Sequence, residues 1–169
     1  MTFHLSSTSS QGSFDLLDER QTLLTHFQYE NWFSSTGSAV FKETNITIKP
    51  RNFWQSAFDV LINDTDKGDI AFNWQGHILI RLERAGLTTN YRLKAKGFWK
   101  FTFVLENEQQ QPVLHLEPTF QWTKMGYSYT AELDQTGSTS VADADLILLL
   151  LTCGYGANLY MTMMASVSA

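Results

Sequence analysis

A single cysteine, Cys153, among 169 residues leaves no disulfide framework and no thiol cluster for zinc. It sits inside an apolar run, which fits an inert buried thiol in a reducing compartment. Basic residues are also scarce. Twelve Lys and Arg against 17 Asp and Glu give a net charge of -5, which argues against a general nucleic-acid binder, because that needs a broad basic surface to release counterions. The opening residues Met1 to Ser7 lack the basic and apolar regions of a secretory signal. The expected location is cytoplasmic, with peripheral attachment to a membrane as an option. No Gly-rich phosphate loop, Gly-x-Ser-x-Gly elbow or catalytic triad can be read from the chain, so neither enzyme activity nor a cofactor is expected. The four histidines, His4, His26, His77 and His115, have no metal-ligand spacing, and the acidic cluster Asp59, Asp64, Asp66 and Asp69 does not fit a calcium loop. Glu106 and Glu108 read as solvated carboxylates at a hairpin tip.

What the sequence does have is apolar and aromatic content, 43% and 14% of residues, in a length suited to one domain spanning 1–169. From residue 1 to about residue 135 the pattern is short and two-residue periodic, as in strands with one buried face. In His77 to Arg84, Ile78, Ile80 and Leu82 share one face while Arg81 and Glu83 take the other. Asp18-Glu19-Arg20 reads as a hairpin turn, and Asn63 to Gly68 and Asn107 to Gln111 read as hairpin loops. Phe98 to Glu106 and Pro112 to Trp122 read as strands, although Pro118 suits only an edge or a bulge. Some ten strands result. Residues 1–12 read either as a flexible arm or as an early edge strand. The five tryptophans, Trp32, Trp54, Trp74, Trp99 and Trp122, fall 20 to 25 residues apart. Their flanking residues share no evident register, so the spacing is taken as that of the strands.

The last stretch, Leu146 to Ala169, has no charged residue and opens with Leu146-Ile147-Leu148-Leu149-Leu150-Leu151. At roughly 2 kcal/mol per buried Leu or Ile, those six side chains gain on the order of 12 kcal/mol by leaving water. Ser140, with Asp143 three residues on and Asp145 in the first turn, marks a helix start, and the helix is placed at residues 140–165. Its length admits a transmembrane anchor. Against that stand Asn158, Thr152 and Thr162 within the run and the lack of flanking Lys or Arg. A helix without a polar face also arises where a sheet wraps around it. The expected fold is therefore mainly β with one C-terminal helix: a closed or nearly closed antiparallel barrel of about ten strands around a central hydrophobic helix.

That order of elements resembles the tubby C-terminal-like superfamily, which includes the tubby domain, the phospholipid scramblases and the plant LURP-one-related proteins. The likeness is carried by Tyr91-Arg92-Leu93-Lys94-Ala95-Lys96-Gly97-Phe98-Trp99, Phe120-Gln121-Trp122, Tyr127-Ser128-Tyr129 and the final helix. It implies a barrel around a C-terminal apolar helix and, from the tubby domains, binding of phosphoinositides through basic side chains. The cysteine-rich and proline-rich stretches of the scramblases are absent, so scrambling is not implied.

The candidate lipid-binding residues are Arg92, Lys94, Lys96 and Lys100. The first three alternate, so they share one strand face, and each charge near an anionic membrane is worth about 1 kcal/mol. The same alternation also suits a solvated outer face that protects a sheet from pairing. The leading expectation is thus a non-enzymatic interaction module with an anionic phospholipid or a protein as partner. Rival expectations are a lipocalin-like carrier of small apolar ligands and a tail-anchored β-domain.

Overall fold

The computed structural model describes residues 1–134 and 144–168. Within them lie the strands β1 (Thr2–Ser7), β2 (Phe14–Leu17), β3 (Leu23–Tyr29), β4 (Gly37–Phe41), β5 (Thr44–Pro50), β6 (Ala57–Ile62), β7 (Thr65–Phe72), β8 (Ile78–Arg84), β9 (Leu87–Lys96), β10 (Thr102–Glu106), β11 (Pro112–Gln121) and β12 (Gly126–Leu133), then the helix α1 (Ala144–Val167). Every strand pairs antiparallel with its sequence neighbours, and β1 pairs with β12 to close a barrel. The strands number twelve, against the ten or so read from sequence.

The larger count has a physical consequence. A barrel of eight strands is just wide enough to be filled by its own side chains, and diameter grows with strand number. A helix with its side chains is about 10–12 Å across, so twelve strands provide the lumen that α1 occupies. The first residues, left open between an arm and an edge strand, form β1. Thr2 to Leu5 pair with Glu132 to Tyr129, and His4 to Ser7 pair with Leu17 to Phe14. Alternation decides this segment too: Phe3 and Leu5 are fully buried while His4 and Ser6 are not.

Two of the sequence boundaries move. The Asn63–Gly68 loop shrinks to Asn63 and Asp64, both left-handed (φ 48° and 63°), with strand resuming at Thr65. A bulge lets Val60 face Gly68 while Leu61 faces Asp66, so Lys67 is the extra residue. Phe98 and Trp99 lie outside β10, which begins at Thr102. That also accommodates Pro118. It pairs with Tyr129 on the β12 side, but on the other side β10 pairs only as far as Phe103 with Leu116, so the missing N–H costs no ladder bond.

Inside the barrel α1 is enclosed on all sides. Leu146 to Asn158 are buried without interruption. Gly154 lies against Leu5 of β1 and Phe14 of β2, Gly156 against Ile78 of β8 and Leu93 of β9. Tyr155 stacks on Tyr29 of β3 at 5.8 Å and meets Phe58 of β6 edge-on at 5.4 Å. Its hydroxyl donates to the Ser35 carbonyl at 2.6 Å. Asn158, the polar residue that argued against a bilayer, accepts from the Tyr129 hydroxyl at 2.9 Å and donates to the Gly12 carbonyl at 2.9 Å. The apolar run thus packs against barrel side chains. The helix cap expected at Ser140 and Asp143 lies outside the described residues; Asp145, in the first turn of α1, approaches Arg84 at 3.4 Å.

Candidate functional site

An up-and-down barrel sorts its loops by parity, so the connections β1–β2, β3–β4, β5–β6, β7–β8, β9–β10 and β11–β12 all lie at one end. Five of these six carry the five tryptophans: Trp32, Trp54, Trp74, Trp99 and Trp122. With Phe33, Phe53 and Phe98 beside them, these eight aromatic side chains are 73–99% exposed. Fully exposed aromatics at loop tips reverse the usual preference of turns for Gly, Pro, Asn, Asp and Ser. Together they present on the order of 1,000 Å² of aromatic surface, spread over five loops at one end of the barrel.

The turns that present them have a shared construction. Asn31, Asn52 and Asn73 follow one another at 21 residues (52 − 31 and 73 − 52), each just before an aromatic residue. Their carbonyls accept from Ser34, Gln55 and Gly76 N–H at 3.3, 3.2 and 3.1 Å, and Gln121 accepts likewise from Lys124 at 3.2 Å. In each turn the residue after the Asn or Gln stands at the first corner: Trp32, Phe53, Trp74 and Trp122. The Asn31 side chain accepts from Phe33 N–H at 3.0 Å, and the Asn73 side chain from Gln75 and His77 N–H at 3.0 and 2.9 Å. These Asx contacts fix the turn while leaving the ring outside. Loops also brace each other: Ser35 donates to the Gln55 side chain at 2.7 Å, and Gln11 donates to the Asn31 carbonyl. The register missed in the sequence is therefore present in three of the five loops as the Asn before the first aromatic, with Gln121 in that place in the β11–β12 turn and Gly97 before Phe98 in the β9–β10 loop.

The helix emerges at the same end. Tyr160 stacks on Phe101 at 5.8 Å and meets Phe103 edge-on at 5.4 Å. Trp99, Tyr127, Tyr160, Met161 and Met164 line a cleft of about 480 Å³ around it, and Met163, Met164 and Val167 are exposed. Charge is distributed in the opposite sense. The aromatic end bears Arg51, Lys100 and Lys124 against Glu30, whereas the loops of the far end bear Asp18, Glu19, Glu43, Asp64, Glu108 and Asp134 against Arg20 and Lys42.

The basic stripe is placed on the outer wall. Arg92, Lys94 and Lys96 lie on β9, and Lys100 lies in the β9–β10 loop. Lys94 and Lys96 both grip Glu106, at 2.7 and 3.2 Å, and Lys100 pairs with Glu117 at 2.8 Å. Glu106 is therefore a buried strand residue, 6% exposed, which corrects its reading as a solvated tip carboxylate; Glu108 is the exposed one. The hydrogen bond from Lys94, aided by Lys96, holds the Glu106 carboxyl below its ordinary range. Partial burial, then the nearby charges of Lys94 and Arg92, lower the basicity of His77. Among the described residues no three His, Cys, Asp or Glu side chains converge as metal ligands.

No family model, no curated protein and no solved structure matches this chain.

Proposed function

We propose that this protein is a non-enzymatic interaction module that docks on an anionic membrane surface through the aromatic end of its barrel. The observation that carries the proposal is the set of five tryptophan-bearing loops at one end. Indole rings partition to the lipid headgroup region because one edge is polar and the body apolar. The uncharged helix tail projects among them and adds methionine and valine side chains to the same surface. The acidic far end would be held away from anionic lipid, while Lys124 and Lys100 would face it. The Lys100–Glu117 pair is exposed, 75% and 52%, so it contributes little internally and lets Lys100 exchange its partner for a headgroup.

Lys94 and Lys96 have a smaller part in this proposal than the sequence suggested, because both are already engaged by Glu106. We infer on the same footing a kinship with the tubby C-terminal-like superfamily; what supports it is a sheet closed around a C-terminal apolar helix. The lumen that a lipocalin-like carrier uses is filled by α1. Cytoplasmic residence with peripheral attachment follows as part of the proposal.

The test is sedimentation of the full chain with phosphatidylcholine vesicles, with and without phosphatidylserine, read together with tryptophan emission. Binding with a blue shift, strengthened by phosphatidylserine, is expected. A wild-type protein that stays in the supernatant with both vesicles sinks the proposal.

A further inference from the structure

The outer wall of the barrel holds a second feature, remote from the loop tips and independent of the docking proposal. Asp69 of β7, Leu79 and Arg81 of β8, Asn90 and Arg92 of β9 and Glu108 of the β10–β11 loop line a cleft of about 470 Å³. The strand register puts these side chains on one face. Leu79 stands across from Arg92, and Arg92 across from Glu106. Asp69 stands across from Arg81, and Arg81 across from Asn90.

The carboxylates around this cleft are engaged. Asp69 accepts two hydrogen bonds from Arg81, at 2.6 and 2.9 Å, and a third from Arg51 at 3.2 Å. Glu106 is held by Lys94 and Lys96. Glu108 accepts from the backbone and the amide of Asn90, at 3.2 and 2.8 Å. The Arg92 guanidinium, in contrast, makes no ion pair or hydrogen bond with any described residue, and its Nε is buried without a partner. Glu106 is its nearest cross-strand carboxylate and is committed to the two lysines. Counting the lining charges together with their ion-pair partners, Arg51, Arg81, Arg92, Lys94 and Lys96 against Asp59, Asp69, Glu106 and Glu108, leaves one positive charge.

We propose that this cleft binds a small hydroxylated monocarboxylate of the sugar-acid type, with Arg92 as its anchor. A guanidinium presents two parallel N–H groups that match a carboxylate, and one negative charge balances the excess. Gln110, whose side-chain amide has no hydrogen bond among the described residues, also lines the cleft, as does Glu108. Their amide and carboxylate groups suit the donors and acceptors of sugar hydroxyls. Ala71 and Leu79 give the floor an apolar surface for the ring. Binding of this kind needs no covalent step.

The experiment is calorimetric titration of the full chain, without lipid, with glucuronate, with glucose as the same body lacking the carboxylate, and with acetate as the carboxylate lacking the body. Saturable binding of glucuronate is expected, at least tenfold tighter than either control. Arg92→Lys keeps the charge and loses the paired N–H geometry, so its affinity should fall about tenfold; Gln110→Ala should weaken binding while leaving the wall unchanged. In parallel, the Arg92 Nε–H resonance should move on adding glucuronate to the wild type. No saturable heat with glucuronate, or equal affinity for acetate, overturns the proposal. So does an Arg92→Lys affinity equal to that of the wild type. The assay contains no vesicles, so its failure leaves membrane docking untouched, and a failure of docking leaves it untouched in turn.

Discussion

Two glycines in α1 show how far single atoms govern this barrel. A methyl group on Gly154 would stand 2.5 Å from Leu5 Cδ2 and 2.8 Å from Phe14 Cζ, whereas one on Gly156 would stand 3.3 Å from Ile78 Cγ2. Alanine gains about 1 kcal/mol of helix propensity over glycine at either site. At Gly154 the overlap with two core side chains outweighs that, and Gly154→Ala should destabilise by about 1–3 kcal/mol in urea denaturation. Gly156→Ala should stay within about 1 kcal/mol of wild type. Equal midpoints for the two variants would contradict the close approach of α1 to β1 and β2.

Glu106 supports a pH prediction at the same scale. Its carboxyl is held below the ordinary range chiefly by the hydrogen bond from Lys94, so the folded state favours its ionised form. The resulting stabilisation is present above the unfolded value, about 4.3, and is lost as pH falls through the lowered folded value. Glu106→Gln should therefore cost about 1–3 kcal/mol at neutral pH, and the gap to wild type should close on acidification below pH ~4. A gap in urea midpoint that stays constant down to acid pH would contradict this assignment. One feature of this residue was hidden in the sequence. Alternation placed Lys94 and Lys96 together, but nothing local revealed that the strand after the β9–β10 loop brings Glu106 between them.

At the scale of elements, α1 and the sheet depend on each other. The helix has no polar face and buries Leu146 to Asn158 against strands all around the barrel, so neither part has an alternative way to cover its apolar surface. A chain ending at Ser140 should lose cooperative thermal unfolding and bind a dye for exposed apolar surface, while the full chain unfolds in one transition without detergent. A truncated chain that melts cooperatively would assign the helix to a bilayer and leave the barrel self-sufficient. Cys153 reports on the same relationship. It is fully buried, and burial pushes its thiol far above the ordinary value, so thiol reagents should label it only as fast as the barrel opens globally. Labelling at the rate of an exposed thiol in the native protein would show that α1 leaves the lumen without unfolding.

At the scale of the whole molecule the distribution of side chains is bipolar. One end is aromatic, uncharged at the helix tail and weakly basic; the other is acidic. An aromatic ring placed partly in the headgroup region contributes about 1 kcal/mol, less than its full burial. Replacing Trp54 and Trp99 with alanine should then weaken vesicle binding about thirtyfold while leaving the thermal midpoint within a few degrees, because both side chains are more than four-fifths exposed. Undiminished binding in that double variant would remove the loop tips from the interface.

The sequence by itself determined the parts whose cause is local. Two-residue alternation marks His77–Arg84 and the segments around it as strands, because successive side chains leave opposite faces of a pleated chain. A run of six Leu and Ile without a polar face demands apolar surroundings wherever it lies. Only tertiary structure decided what those surroundings are, how many strands enclose them and which residues meet. Closure pairs β1 with β12, residues separated by most of the chain, and that pairing is invisible to any local pattern. Closure also converts a loose tryptophan spacing into a ring at one end, because antiparallel order alone assigns every second loop to the same side. It leaves Arg92 without a carboxylate by giving Glu106 to its neighbours. Each of these outcomes depends on long-range register, and register belongs to the folded barrel.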